Sequence, residues 1–182
     1  CRPNRHGLYQ VNIGPSSDTI ELVAYRRDIR QWFWSWDTSN VHGLGADYYG
    51  FFNNHLDCYE DIDLPDIPND GSSLWFAKRI DGFNIEGLAR TPVGYNSVKP
   101  MALVGFRAPI VAHHRSFTAA NPILPRTRAL LVPMTLEAGI TDDGPPIGFG
   151  EPIELDLGGR GIRSISRNDQ GQYLIIAGSY GE

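Results

Sequence analysis

The sequence has few cysteines and no long hydrophobic run. Its two cysteines, Cys1 and Cys58, are too few for a disulfide framework and do not have the spacing of metal ligands. No run of about 18 apolar residues occurs, so we expect no membrane span. No charged and then apolar segment opens the chain, so no signal peptide is visible. We expect a soluble domain in a compartment that the sequence leaves open.

A basic surface is also missing. The formal net charge is -5, and residues 37–70 carry eight acids and no lysine or arginine, whereas residues 1–36 carry five arginines against three acids. Nucleic-acid binding needs a basic stripe, so we expect no nucleic-acid partner. The acidic segment 57–70 lacks the spacing of an EF-hand and contains two prolines. It is therefore predicted to be a solvated connection.

Helical periodicity is almost absent, while short apolar segments bounded by turn residues recur along the chain. This pattern predicts an all-β fold of the sandwich, barrel or propeller kind. The predicted strands are GLYQVNI, TIELVAYRR, IRQWFWSW, SLWFAKRI, FNIEGLAR, MALVGFRAPI, RALLVPMT, EPIELDL, GIRSISR and QYLIIAGS. The best helix candidate is ADYYGFFNNHLDCYED, residues 46–61.

We expect two regions within one structural unit. Residues 1–71 form an N-terminal β region with a long acidic connection, and residues 72–182 carry the more regular succession of strands. In the second region four predicted antiparallel strands, from FNIEGLAR to EPIELDL, are followed by GIRSISR and QYLIIAGS, which begin the same order again. Four strands and a restart are typical of propeller blades, so this region predicts one full blade and the start of another.

These segments together resemble a known bacterial family. In order, IEGLA, VGFRAPI, LLVPM, LDLGGRGIRSI and LIIAGS, within residues 75–179, resemble domain-of-unknown-function family thirty-six sixteen. Its members look like β-propellers and have no established activity, so the resemblance implies a fold and a set of marked positions but no substrate. A closed propeller needs at least four blades. We therefore expect an incomplete propeller, or a β domain that closes its edges by pairing with another copy.

The two ends of the chain carry a separate expectation. The sequence begins at Cys1 without a methionine and stops shortly after an apolar strand. We therefore expect a processed chain or a fragment of a longer one. A lipid anchor on Cys1 is the alternative explanation for the first residue.

Glu86 is the most unusual residue of the predicted blade. It interrupts the apolar strand FNIEGLAR, where an ionised carboxylate is costly unless a cation, a metal or several donors pair with it. In a propeller the innermost strands line the central channel, so Glu86 and Arg163 are expected to meet near the axis. Arg107, on the next strand, is expected to brace them, because a planar guanidinium can hold a carboxylate through two hydrogen bonds.

Three interpretations of this cluster remain open. The first is a structural ion-pair network that fixes the register of the blades. The second is a binding site for an anionic or sugar-like small molecule, with Arg107 and Arg163 as donors. The third is a Ca2+ site held by Glu86, with Asn84 on the same face of the strand and Asp81 nearby in sequence. The first two correspond to a structural or ligand-binding module, and the third to a calcium-dependent lactonase or phosphoesterase acting at the channel.

The glycine-rich segment GGRGIR, residues 158–163, is a weaker candidate. It lacks the Lys-Ser/Thr ending of a P-loop, and it leads into a strand where a dinucleotide fingerprint requires a helix. We expect a tight turn between blades, with Arg160 facing the channel mouth as a further ligand-binding residue.

The aromatic segment IRQWFWSW supports a different hypothesis. As a strand it would place Trp32, Trp34 and Trp36 on one face and Phe33 on the other. Such a stripe is typical of packing between blades, or, if it is exposed, of a platform for sugar rings or a partner protein. A protein-interaction scaffold, with self-association through unpaired strand edges, is therefore a further hypothesis. No G-x-S-x-G, HExxH or paired Cys-His signature of a hydrolase occurs, and the sequence leaves open whether the protein is an enzyme.

Overall fold

The structure is a computed structural model. It describes residues 7–14, 19–26, 29–51, 83–91, 101–111, 126–135 and 148–179. Most of these residues lie in antiparallel β-strands, which confirms the all-β prediction. The described strands form open sheets rather than a closed ring. No helix within the described ranges is long and apolar enough to cross a membrane.

The elements follow the predicted order closely. They are β1 (Leu8–Ile13), β2 (Ile20–Arg26), α1 (Ile29–Thr38), β3 (Asn84–Arg90), β4 (Met101–Val111), β5 (Arg128–Thr135), β6 (Gly148–Phe149), β7 (Ile153–Asp156), β8 (Gly161–Arg167) and β9 (Tyr173–Gly178). The predicted strand SLWFAKRI lies outside the described residues. Of the helix predicted for residues 46–61, residues 46–49 form turns and bends, Phe51 has helical geometry, and residues 52–61 lie outside the described part.

The central sheet is built from β3 to β7. Strands β3, β4 and β5 pair in that order, and all the pairings are antiparallel. Both β6 and β7 pair with β5, β7 along its first half and β6 at its end. Strand β5 is buried on both faces, and because both faces then need apolar side chains, its sequence is nearly continuously hydrophobic.

Helix α1 covers one face of this sheet, and the prediction of a strand for IRQWFWSW is wrong. Its buried residues Ile29, Phe33, Trp36 and Asp37 recur at the spacing of one helix face. The Phe33 ring lies at the centre of an aromatic cluster, with its centroid 4.5 Å from that of Phe149. Over a segment as short as IRQWFWSW, the two-residue spacing of a strand and the 3.6-residue spacing of a helix fit many of the same apolar positions. The alternating tryptophans therefore suggested a strand, but burial of Phe33 selects the helix.

The predicted tryptophan stripe is therefore absent. Trp36 is buried in the aromatic cluster, where it stacks on Tyr49, while Trp32 and Trp34 are half-buried. Residues two apart on a helix are separated by about 200°, so Trp34 points away from Trp32 and Trp36 and the three side chains do not form one stripe. The platform that the scaffold hypothesis placed on this segment does not form.

The β8–β9 hairpin packs on the other face of the sheet, against β3 and β4. Ile162 and Ile165 of β8 lie directly over Gly87 and Gly105. A Cβ atom at Gly105 would lie 2.9 Å from Cγ2 of Ile162, and one at Gly87 would lie 2.9 Å from Cγ2 of Ile165. The glycines in IEGLA and VGFRAPI are therefore the places where the hairpin approaches the sheet backbone.

Candidate functional site

The candidate site lies where β3, β4 and β8 each depart from regular pairing. The register of the β3–β4 ladder shifts twice, and the extra residues at these shifts are Glu86 on β3 and Arg107 on β4. The β8–β9 ladder shifts once, and its extra residue is Arg163. A bulge turns a side chain away from the regular alternation of a strand. Three separate bulges therefore aim these side chains at a common point.

Glu86 binds both arginines. Nη1 of Arg107 lies 2.9 Å from Oε1 of Glu86, and Nη1 of Arg163 lies 3.5 Å from Oε2. Each arginine thus takes one carboxylate oxygen, so Glu86 bridges the central sheet and the β8–β9 hairpin. Charge-assisted hydrogen bonds of this kind are stronger than neutral ones, and the contact at 2.9 Å is the stronger of the two.

The cluster is partly accessible to solvent. The Arg107 side chain is 8 % exposed, whereas Glu86 is 27 % and Arg163 is 28 % exposed. Two guanidinium groups and one carboxylate give a formal charge of +1. The tight, dry contact is therefore Glu86 to Arg107, and the looser contact, to Arg163, lies on the accessible side.

Arg163 also ties down the end of the β8–β9 hairpin. Its Nη2 donates to the backbone oxygen of Ser179 at 2.6 Å, just beyond the last residue of β9. At the start of β8, Gly161 lies so close to the backbone of Arg107 that any larger residue would collide with its carbonyl. The contact at Gly161 brings β8 over β4, and this is what places Arg163 within reach of Glu86.

The other predicted site residues have different positions. Nδ2 of Asn84 lies 3.5 Å from Oε1 of Glu86, so Asn84 borders the cluster at the limit of a hydrogen bond. Arg160 is exposed on the turn before β8, and its backbone N–H donates to the carbonyl of Leu157 at 3.3 Å. No ion pair or hydrogen bond between Arg160 and Glu86 occurs within the described part of the chain. The structure therefore brings together Glu86, Arg107, Arg163 and Asn84, and leaves Arg160 apart.

Glu86 has little capacity left for a metal ion. Both carboxylate oxygens face guanidinium groups, which repel a cation and already satisfy the negative charge. Among the described residues no group of three His, Cys, Asp or Glu side chains is placed to hold a metal. Asp81, the other predicted neighbour, lies outside the described ranges. Calcium needs six to eight oxygen ligands, and Glu86 with Asn84 supplies only a small part of them.

A second polar cluster lies beside the aromatic core and was not predicted. The Asp37 carboxylate is fully buried and accepts hydrogen bonds from Nε2 of His42 at 3.0 Å and from the backbone N–H groups of Tyr49 and Phe51, each at 3.1 Å. The backbone N–H of Leu44 donates to Nδ1 of His42 at 3.1 Å. That acceptor role fixes the neutral ring with its proton on Nε2.

This second cluster fixes the conformation of the loop after α1, and its groups are not arranged for acid–base chemistry. Both ring nitrogens of His42 are occupied, so neither is available to take a proton from a substrate. Asp37 sits in the last turn of α1 and holds the backbone 12 and 14 residues further on. No sequence spacing signals this arrangement, because the partners of Asp37 are mainly backbone groups whose position depends on the loop.

Two tyrosines near Asp37 have pKa values well above the ordinary value for tyrosine. Burial, with a smaller contribution from the nearby Glu154 carboxylate, raises the pKa of Tyr48 to about 12. Burial also raises the pKa of Tyr49, and Glu154, Tyr48 and Asp37 add to the effect. Both phenols therefore stay neutral over the physiological range, which fits a packing role rather than an acid–base role.

Comparison with protein-family models, with curated proteins and with solved structures finds no match to this chain. The resemblance to family thirty-six sixteen therefore stays a prediction that depends on the quoted segments. A proposal for the function therefore rests on the geometry of the Glu86 cluster.

Proposed function

We propose that the chain is a non-catalytic, propeller-like β module in which Glu86 clamps two packed sheets in register. This proposal rests on one observation, the pair of ionic contacts through which Glu86 links the two sheets. One carboxylate binds Arg107 from the central sheet and Arg163 from the β8–β9 hairpin, one oxygen to each. A group that is already neutralised from both sides is suited to holding structure and is poorly suited to acid–base chemistry.

The strand order supports the propeller-like part of this proposal. Strands β3, β4, β5 and β7 form a four-stranded antiparallel meander, and β8 and β9 pack face to face on it. That is the relation between one propeller blade and the first two strands of the next. Leu174 and Ile176, on the outer face of β9, are exposed where a further layer of strands would pack.

Hydrogen exchange tests the clamp. In the Glu86→Gln variant we expect the amides of β8 and β9 to exchange at least about tenfold faster, because the hairpin loses its charged attachment to the sheet. Amides in β1 and β2 have no contact with the cluster and should keep their rates. The matched control is Glu151→Gln, the same change at an exposed position. Unchanged exchange in β8 and β9, or equal acceleration throughout the chain, would overturn the clamp.

A second candidate function is the binding of a small anion at the accessible side of the cluster. The observation that favours it is the loose contact between Arg163 and Glu86 at 3.5 Å, in a site with a formal charge of +1. A carboxylate or phosphate group could take a place beside Arg163 without disturbing the tighter pair between Glu86 and Arg107.

Calorimetric titration with glucuronate and with inorganic phosphate tests this second candidate. If Arg163 is the donor, binding to the native chain should be lost in Arg163→Gln and kept in Arg167→Gln, a control at an exposed arginine on the same strand. The absence of heat with both anions up to millimolar concentration would reject the anion site. The clamp would be unaffected by that result, because its test is hydrogen exchange.

The calcium-dependent hydrolase is the proposal that the geometry supports least. Two arginines, rather than further carboxylates, surround Glu86, and a divalent cation at this point would face both guanidinium groups. Melting of the native chain should therefore be the same with calcium and with chelator. A rise in melting temperature with calcium that Glu86→Gln abolishes would restore the hydrolase hypothesis.

A further inference from the structure

The β1–β2 hairpin has one face made only of apolar and aromatic side chains. Directly opposed residues of an antiparallel pair share a face, and the alternation along each strand then assigns the rest. The members of this apolar hairpin face are Tyr9, Val11, Ile13, Ile20, Leu22 and Tyr25. The rings of Tyr9 and Tyr25 stack at one end of it, with their centroids 6.4 Å apart.

Most of this apolar hairpin face is open to solvent. The hairpin is attached to the body at its base, where Leu8 packs against the aromatic core and Arg26 is buried with its guanidinium 4.6 Å from the centre of the Trp32 ring. Exposure rises towards the tip, where Ile13 is 66 % and Ile20 is 72 % exposed. Within the described part of the chain, more large exposed apolar side chains lie on this hairpin than on all other elements together.

The opposite face of the hairpin is different in kind. Beyond Leu8, Ala24 and Arg26 towards the base, it carries Gln10, Asn12 and Glu21, all three exposed, while the exposed Val23 lies at the register shift between the two halves of the hairpin. The two strands are therefore amphipathic, yet the apolar side chains face solvent along most of the hairpin. An isolated two-stranded hairpin is marginal in water, and three or more strands or a packed face are needed for stability. The pattern predicts a partner on the apolar side.

We propose that this apolar hairpin face packs against the same face of a second copy of the chain, related by a two-fold axis. Two such hairpins make a small two-layer sandwich, with the sheets about 10 Å apart and the side chains interdigitated. The face carries no charge, so two copies of a chain with a net charge of -5 can meet there without placing like charges in contact. This contact uses the face of the hairpin rather than its open edges, and it is independent of the role proposed for Glu86.

The size of the face fits a weak dimer. Six side chains that are roughly half exposed present on the order of 500 Å² per copy, or about 1,000 Å² in total, near the lower limit of specific interfaces. The stacked tyrosines would supply aromatic contacts of the kind that carry most binding energy. We therefore expect a dissociation constant in the micromolar range rather than an obligate dimer.

A second copy fits this face better than a lipid surface does. Hairpins and helices that lie on membranes combine an apolar side with flanking lysines and arginines that attract anionic headgroups. Within β1 and β2 the charged residues are Glu21 and Arg26, and Arg26 is buried against Trp32.

Sedimentation velocity of the 182-residue chain between about 1 and 100 µM tests the dimer, over the range where a micromolar dissociation constant changes the populations. The native chain should shift from monomer to dimer. Ile13→Lys should raise the dissociation constant at least about tenfold, because it would bury a charge in the interface. The matched control, Asn12→Lys, adds the same charge to the adjacent position on the polar face and should change the dissociation constant less than about twofold.

Ile20→Lys, on the partner strand, is the second variant and should behave like Ile13→Lys. Both isoleucines are exposed, so circular dichroism of each variant should match that of the native chain. A native chain that stays monomeric to about 100 µM would overturn the proposal, since a micromolar dimer must form at that concentration. Equal weakening by Asn12→Lys would also overturn it, by placing the contact elsewhere. Flotation of monomeric chain with phosphatidylcholine vesicles would assign the face to lipid instead.

Discussion

Replacing Glu86 by glutamine isolates the charge at the centre of the cluster. The variant keeps the length of the side chain and one carbonyl acceptor, but it removes the negative charge that lies 2.9 Å from Nη1 of Arg107. Arg107 is only 8 % exposed, so water cannot readily replace the lost partner. Arg163 is more exposed and can turn towards solvent while it keeps its bond to Ser179.

The expected size of the effect follows from these exposures. Breaking a fully buried ion pair costs about 3–5 kcal/mol, and breaking an exposed one about 0–1 kcal/mol. The pair of Glu86 with Arg107 is dry on one side and 27 % exposed on the other. We therefore assign it about 2 kcal/mol, and the longer contact to Arg163 about 0.5 kcal/mol. Glu86→Gln should lower the free energy of unfolding by about 2–3 kcal/mol, and Arg163→Gln, which also removes the hydrogen bond to Ser179, by about 1–2 kcal/mol.

The assay is urea unfolding followed by tryptophan fluorescence, because Trp36 lies in the core and Trp32 and Trp34 lie beside it on α1. Double-mutant cycles then separate the two contacts. The coupling energy between Glu86 and Arg107 should be about 2 kcal/mol, and that between Glu86 and Arg163 about 0.5 kcal/mol.

Two outcomes would refute this reasoning. The first is a free energy of unfolding for Glu86→Gln equal to that of the exposed control Glu151→Gln, which should lie within about 0.5 kcal/mol of the native value. The second is a coupling to Arg163 that exceeds the coupling to Arg107, since the distances and exposures require the reverse order.

Three further predictions concern other parts of the molecule. Asp37→Asn should lower the free energy of unfolding by about 2–4 kcal/mol in urea, because a buried carboxylate with three donors loses its charge, while the exposed control Asp169→Asn should have little effect. Gly105→Ala should cost about 1–3 kcal/mol in the same assay, because its Cβ would lie 2.9 Å from Cγ2 of Ile162, and the same change should cost less in an Ile162→Ala chain, which lacks that atom. The raised pKa of Tyr48, about 12, means that the unfolded chain releases this proton first, near pH 10. The free energy of unfolding should therefore fall as pH rises from about 10 to about 12, and Tyr48→Phe should make that fall shallower; a fall of equal slope in the variant would contradict it.

Strand positions were predictable because they depend on local sequence. Segments such as RALLVPMT and QYLIIAGS are short, largely apolar runs bounded by turn residues, and the structure places strands in both. The all-β class follows from the same signals. Helix α1 was not predictable from IRQWFWSW, because alternating tryptophans satisfy a strand pattern, and only packing of Phe33 against the sheet selects the helix.

The order of the predicted strands placed Glu86 near Arg107 and Arg163. It did not predict the shifts in strand register that bring the three side chains together. Each of the three residues lies at a shift in strand register, and a bulge is defined by the pairing of two strands, which the sequence of either strand alone does not specify. The Asp37 cluster left even less signal, since backbone N–H groups of Tyr49 and Phe51 are its donors. Backbone donors have no sequence signature, because every residue except proline supplies one.

The sequence by itself determined most of the described strands, and it marked Glu86 as a charge in need of a partner. Those features are local: side-chain shape sets strand preference, and burying an unpaired carboxylate is costly in any fold. Only the tertiary structure decided which arginine holds Glu86 tightly and which loosely. That difference depends on how closely β8 can approach β4 over Gly105 and Gly161, a contact between residues more than fifty positions apart in the chain.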